Sequence, residues 1–407
     1  MADTYHPNKK TLEKYADVLV NFALNSGKGI KKNDVVRVVV NESAKPLYIE
    51  LQKAVLKAGG HIIGVYRPDD DRSFNFAKAF YDLANDKQLK YFPANYMKGM
   101  VTDVDHNIVI ISEADKQALK GVDPKKMMAR GQAMKKIHEW LDEKENSGKY
   151  TWTLGLYGTP AMAKEAGLSE KEYWKQITKA CFLDKKDPIA EWKAVAKELE
   201  TIRRKLNKLK IEQVHLQGED VDLTVKIGAD RKWAGGSGRN IPSFELFTSP
   251  DWRGTNGWIR FNQPLYRYGN LIKDVELEFK NGKVLRSKAS KNLKLLQEMI
   301  NTKNADKVGE FSLTDKRHSR ITKFMAETLF DENVGGKYGN THIALGKAYS
   351  NCYNGDITKM KAKDWQKVGF NDSSVHTDIV STTDRTVTAT LQDGSERVIY
   401  RNGQFQV

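Results

Sequence analysis

Two of the chain's eight histidines lie near carboxylates in a way that suggests metal chemistry. In SSVHTDIV, His376 stands two residues before Asp378. Successive side chains of a strand alternate between faces, so these two project from the same face and can reach a single cation. In NTHIALGKAY, His342 and Tyr349 are seven residues apart, close to two helical turns, and share a face if the segment is helical. One would then bind an ion while the other meets substrate. Three glutamates of the same half supply negative charge: Glu245 in IPSFELFTSP, Glu310 in VGEFSL and Glu332 in FDENVGG. Glu245 is the most pointed, because a carboxylate among Phe244, Leu246 and Phe247 must be solvated, paired or bound to a cation. Each feature also has a plainer reading, a surface hydrogen bond for His376 and Asp378, or backbone-satisfied burial for His342 and Tyr349. Taken together, the carboxylates and imidazoles form a sulfur-free donor set suited to zinc, cobalt or manganese and to two-metal hydrolysis.

These residues lie in the second half of a chain whose texture changes midway. The first half alternates helices and strands. An amphipathic run over 11–24 precedes the β-branched VVRVVV at 35–40, a helical stretch over 45–57, a stop at Gly59-Gly60 and a strand over 61–66. Strand-helix-strand order predicts a parallel α/β unit. A second strand pair, 107–112 and 150–157, flanks a lysine-rich helix over 124–145, and a long helix over 189–209 forms a border. Beyond Gly218, extended segments dominate. Val221, Leu223, Val225 and Ile227 alternate with polar neighbours, as do Val275, Leu277 and Phe279 before an Asn281-Gly282 turn. The C-terminus repeats the device around Asp393-Gly394 and Asn402-Gly403. The expectation is an N-terminal α/β domain with a parallel sheet over 1–215. A C-terminal catalytic, metal-binding domain over 216–407 would be mostly antiparallel sheet with helices attached. No fixed-period repeat or low-complexity tract points to a solenoid or a linker.

Composition narrows the function classes. At 407 residues the chain is long enough for about two or three domains. With 40% hydrophobic and 29% charged residues it has an ordinary globular balance. Cys181 and Cys352 are too few for a disulfide framework or a thiolate metal cluster, so any metal must take oxygen and nitrogen ligands. The first twenty residues carry charges throughout, and no stretch approaches a membrane span, so a cytoplasmic protein is expected. A net charge of +15 would suit a nucleic-acid binder, but the basic residues are spread along the chain and mixed with acids, as in the stretch holding Glu198, Glu200, Arg203 and Arg204. A solvated basic surface is the reading adopted, with no nucleic-acid or membrane partner.

Four long segments carry a resemblance: GRNIPSFELFTSPDWRGTNG, the KVGE segment, ETLFDENVGGKYGNTHIALGKAY and GFNDSSVHTDIVSTTDRTV. Across nearly its whole length the chain resembles the thermophilic aminopeptidase T and PepS family of metallo-aminopeptidases. The resemblance implies metal ligands at Glu245, Glu310, Glu332, His342, His376 and Asp378, and a catalytic tyrosine at Tyr349. Two departures from the commoner pattern stand out. Phe244 replaces a glycine before the first glutamate, which narrows the expected pocket, and extra residues in VGGKYGNT separate Glu332 from His342.

The implied mechanism uses two divalent ions bridged by Glu310 to activate water against the first peptide bond of short peptides, with Tyr349 donating to the oxyanion. The resemblance also implies a homodimer whose domains enclose the active site. Rival readings are another dinuclear hydrolase, an amidase or phosphoesterase, and a basic nucleic-acid-binding protein that keeps the fold without activity.

Overall fold

VVRVVV, extended by one residue, becomes Val35–Asn41, an inner strand of a four-stranded parallel sheet. The order across the sheet is His61–Arg67, Val35–Asn41, His106–Ile111, Thr151–Leu156. Val36, Val38 and Val40 are fully buried, each contributing roughly 1.5–3 kcal/mol relative to exposure. A continuous β-branched run is what a strand covered on both faces requires. The connecting helix Lys45–Lys57 has Pro46 in its first turn, where a missing N–H costs nothing. Pro124–Asn146 is capped by Asp123, whose side chain accepts the Lys125 N–H at 2.9 Å. The structure, a computed structural model, describes residues 5–71, 73–236 and 238–407.

Among the described residues the second half carries two large antiparallel sheets and a small two-stranded hairpin, Leu265–Arg267 with Asn270–Ile272. The larger has eight strands, ordered Lys283–Lys288, Glu276–Lys280, Asn256–Arg260, Val221–Lys226, Ile211–Gly218, Thr386–Leu391, Glu396–Arg401 and Gln404–Phe405. Asn281-Gly282 and Asn402-Gly403 form its tight turns, with all four residues at positive φ. The smaller sheet has five strands, ordered His376–Ser381, Asn340–Gly346, Val308–Thr314, Glu245–Thr248 and Ala234–Gly235. Every residue of Val308–Thr314 and Asn340–Gly346 is buried.

The chain divides into two compact units. One runs to Lys197 and includes Gly236–Ser243 and Lys323–Phe330; the other comprises Glu198–Gly235, Phe244–Thr322 and Asp331–Val407. Residue 215 itself lies within Ile211–Gly218, which pairs on one side with Val221–Lys226 and on the other with Thr386–Leu391. Among the described residues, no helix is long and apolar enough to cross a membrane.

Candidate metal centre

Residues paired across a sheet share a face, and the register of the five-stranded sheet sets the whole constellation. Glu245 pairs with Thr314, Ser312 with both Phe247 and His342, Glu310 with Ala344, Ala344 with Asp378, and Gly346 with His376. Since side chains alternate along each strand, Glu245, Glu310, His342, His376 and Asp378 all project from one face. The pairing of His376 with Asp378 on one strand face is as the sequence pattern predicts. A bulge between Val308 and Glu310 aims the glutamate: a Cβ on Gly309 would collide with the Gly346 and Lys347 carbonyls.

Glu310 divides its two oxygens. His342 Nε2 lies 3.1 Å from Glu310 Oε1 and 3.1 Å from Glu245 Oε2. The other oxygen, Glu310 Oε2, lies 3.8 Å from His376 Nε2, which is 3.2 Å from Asp378 Oδ1. Asp378 Oδ1 is also 3.9 Å from His342 Nε2. Hydrogen bonds around the cluster fix these groups. Ser312 Oγ donates to Glu245 Oε2 at 2.7 Å. His376 Nδ1 donates to the Lys347 carbonyl at 2.8 Å, which leaves Nε2 to face the carboxylates.

Glu332 follows the short helix Thr328–Asp331 and is buried. Asn333 donates to Glu332 Oε1 at 3.4 Å and accepts the Phe244 N–H at 2.7 Å, joining Glu332 to the strand of Glu245. Asn340 donates to the Glu332 and Val334 carbonyls, at 2.8 Å each. After burial, Glu245 and Asp378 are the largest influences raising the Glu332 carboxyl.

The helical option for 342–349 is overturned. His342 sits on a strand, and Tyr349 arrives from the loop beyond Gly346. Gly346 has φ +109°, where a Cβ would strike the Val375 carbonyl. The Tyr349 N–H donates to Ser249 Oγ at 2.8 Å, and its ring lies 4.8 Å from the His376 ring and 6.0 Å from Phe247. Histidine and tyrosine therefore meet through neighbouring strands and a loop, not through one helix face.

Titration behaviour follows from crowding acids in a dry place. Burial, reinforced by Glu245, pushes Glu310 up to about 7 against the pull of His342. Burial and then Glu245 and Asp378 hold Glu332 well above the usual carboxylate range. Burial also pushes Asp378 up, but His376 outweighs it and leaves that carboxyl depressed. Burial lowers both histidines, yet Glu245 raises His342 and Asp378 raises His376 beyond it. Tyr349 is raised well above its ordinary value by burial and then by Glu310 and Asp378, so its hydroxyl keeps its proton.

This negative pocket fits divalent cations. One ligand atom each from Glu245, Glu310 and His342 lies within 4.8 Å of the others, a modest closure away from the roughly 3.3 Å between ligands of a tetrahedral ion. His342 Nδ1 is buried with no hydrogen-bond partner, so the ring is held through Nε2 among carboxylate oxygens. The sequence pattern did not single out Ser312, Asn333, the Lys347 carbonyl or Arg267, whose Nη2 donates to the His376 carbonyl at 2.9 Å. Period-2 reasoning from Glu310 would have found Ser312. No local signal marks Arg267, which comes from a separate hairpin.

Known proteins resemble this chain along nearly its whole length. The sequence model of the family described as thermophilic metalloprotease (M29) matches residues 8–405. Aminopeptidase PepS of Streptococcus thermophilus is 27% identical over 426 residues, spanning 98% of this chain and 99% of that protein. Aminopeptidase T of Thermus thermophilus is 27% identical over 420 residues, spanning 98% and 99%. The solved structure of wild-type AmpT from Thermus thermophilus superposes with a TM-score of 0.81 at 24% identity, covering 98% of this chain and all of that one, and so shares the fold.

Proposed function

Since this chain belongs to the thermophilic metalloprotease family (M29), we propose that it is an aminopeptidase that removes the N-terminal residue of short peptides with two divalent cations. The observation that supports the two-cation reading is the divided carboxylate of Glu310, with His342 at one oxygen and His376 at the other, while Glu245 lies beside His342 and Asp378 beside His376. Glu245 and His342 would hold one ion, His376 and Asp378 the second, with Glu310 between them and Glu332 adding charge from the adjoining loop. Mixed carboxylate and imidazole donors suit zinc, cobalt or manganese. Bound there, the cations would supply Lewis-acid polarisation of the scissile carbonyl and activation of water.

The chain's own residues do the rest. The Lys347 carbonyl holds the His376 ring in the tautomer that turns Nε2 inward, and Ser312 fixes the Glu245 oxygen nearest His342. Tyr349 keeps its hydroxyl proton and donates it in a hydrogen bond to the oxyanion as the carbonyl becomes tetrahedral. Glu310 is the carboxylate assigned to orienting the attacking water. Two buried cysteines, Cys181 and Cys352, suit a reducing compartment, and the protein is read as a cytoplasmic homodimer.

Chelation followed by metal titration tests the assignment. Release of leucine from leucyl p-nitroanilide should vanish on chelation and return as about two ions bind per chain. Turnover that survives chelation, or full activity at a single ion, would overturn it.

A further inference from the structure

Leu265–Arg267 and Asn270–Ile272 form a small hairpin that turns through Tyr268 and Gly269, both at positive φ. It brings Arg267 against the strand that carries His376 and Asp378: Nη2 donates to the His376 carbonyl at 2.9 Å. The guanidinium carbon lies 5.4 Å from the centre of the Tyr268 ring. Its Nε is buried and has no hydrogen-bond partner. Among the described residues no carboxylate forms an ion pair with this guanidinium, although Asp378 lies near enough to feel its charge.

Arg267 is only half-buried, and the cost of poor pairing falls on its Nε, which is withdrawn from water. A guanidinium is permanently charged, and its rigid fork of donors matches a carboxylate. A buried donor left unpaired forfeits a hydrogen bond that water would otherwise supply. The charge balance points the same way. Glu245, Glu310, Glu332 and Asp378 together match the charge of two divalent cations, so Arg267 leaves one positive charge over until a hydroxide or an anionic substrate group enters. An anionic group on the substrate is the missing partner.

Resting on the aminopeptidase reading, the geometry points to Arg267 as the residue that grips the C-terminal carboxylate of a dipeptide, which makes dipeptides the preferred substrate class. Chain length supports the match. The carboxylate of a dipeptide lies one residue, roughly 3.5 Å, beyond the bond to be cut, and that of a tripeptide about twice as far. Arg267 is anchored on the main chain of a residue whose own ring belongs to the site, and the shorter reach is the one proposed.

Steady-state kinetics of the metal-loaded full chain on Leu-Gly, its C-terminal amide and Leu-Gly-Gly provide the test. The wild type should favour the free dipeptide over the amide by roughly tenfold or more in kcat/KM, mostly through KM, as a charge-assisted contact gives. Leu-Gly-Gly should fall near the amide. Arg267→Gln should bring the acid-to-amide ratio close to one, and Arg267→Lys should retain part of it; a ratio cancels any general loss of activity. Equal wild-type rates on acid and amide would overturn the assignment while leaving the aminopeptidase reading intact. So would an unchanged ratio in Arg267→Gln, which would make Arg267 a mere support for His376. Hydrolysis of none of the three peptides would sink the aminopeptidase reading itself.

Discussion

Replacing Tyr349 with phenylalanine removes one oxygen from the site and leaves the ring. That ring is half-buried and packs on His376 at 4.8 Å and Phe247 at 6.0 Å, contacts that phenylalanine keeps. The backbone N–H bond to Ser249 is also untouched. What disappears is a hydroxyl whose proton is held by burial and by the surrounding Glu310, Asp378, Glu332 and Glu245. A donor aimed at a developing oxyanion in a dry site is worth about 3 kcal/mol, roughly two orders of magnitude in kcat. Tyr349→Phe should therefore lower kcat on leucyl p-nitroanilide by about 100-fold, with KM and metal content near those of the wild type. Because the tyrosine pKa is raised, the wild-type rate should show no loss assignable to this hydroxyl as pH rises towards 10. A kcat within about threefold of the wild type would refute the donor role, and a fall in bound metal would make Tyr349 a ligand instead.

The remaining predictions probe the ligand set and the fold. His376→Ala removes the nitrogen 3.2 Å from Asp378 and should reduce bound metal from about two ions to about one per chain, whereas Glu310→Gln should weaken both; equal losses would contradict the divided carboxylate. Asp315 is fully buried and accepts the Arg317 Nε–H at 2.9 Å and the Phe405 N–H at 3.0 Å. Burial raises its carboxyl, but the bonds from Arg317 and Phe405 outweigh this and leave it depressed, so its stabilising effect is present above the ordinary carboxylate pKa and lost as pH falls through the lower folded value. Asp315→Asn should cost about 2 kcal/mol at pH 7, measured by urea unfolding, and the gap from the wild type should close below about pH 4.

Local patterns carried much of the fold. The β-branched run of Val35–Asn41, the helix Lys45–Lys57 with proline in its first turn and the turns at Asn281-Gly282 and Asn402-Gly403 are each encoded within a few residues. Ile211–Gly218 was not legible in this way. Its buried residues, Ile211, Val214 and Leu216, do not alternate cleanly, and it is held by strands near and far in sequence. The same holds for the site. His376 and Asp378 declare their common face by spacing alone, but the approach of His342 to Glu310 depends on which strands become neighbours. Residue type and spacing singled out the ligand candidates and the resemblance gave them roles; only strand pairing explains how they meet.

The sheet also accounts for how long and short side chains of the candidate centre come together. Neighbouring strands lie about 4.8 Å apart, so Glu310 and Asp378, two strands apart, start nearly 10 Å from one another. Ala344 lies between them, paired with both, and its methyl group fills little of the intervening space. The longer glutamate spans that gap far enough for its two oxygens to approach different histidines, while Asp378 remains close to its own strand neighbour His376. A large residue at 344 would occupy the ground on which the ligands converge, and a flat ladder without the Gly309 bulge would turn Glu310 elsewhere. The candidate chemistry thus depends as much on two small residues that present no ligand as on the acids and imidazoles that do.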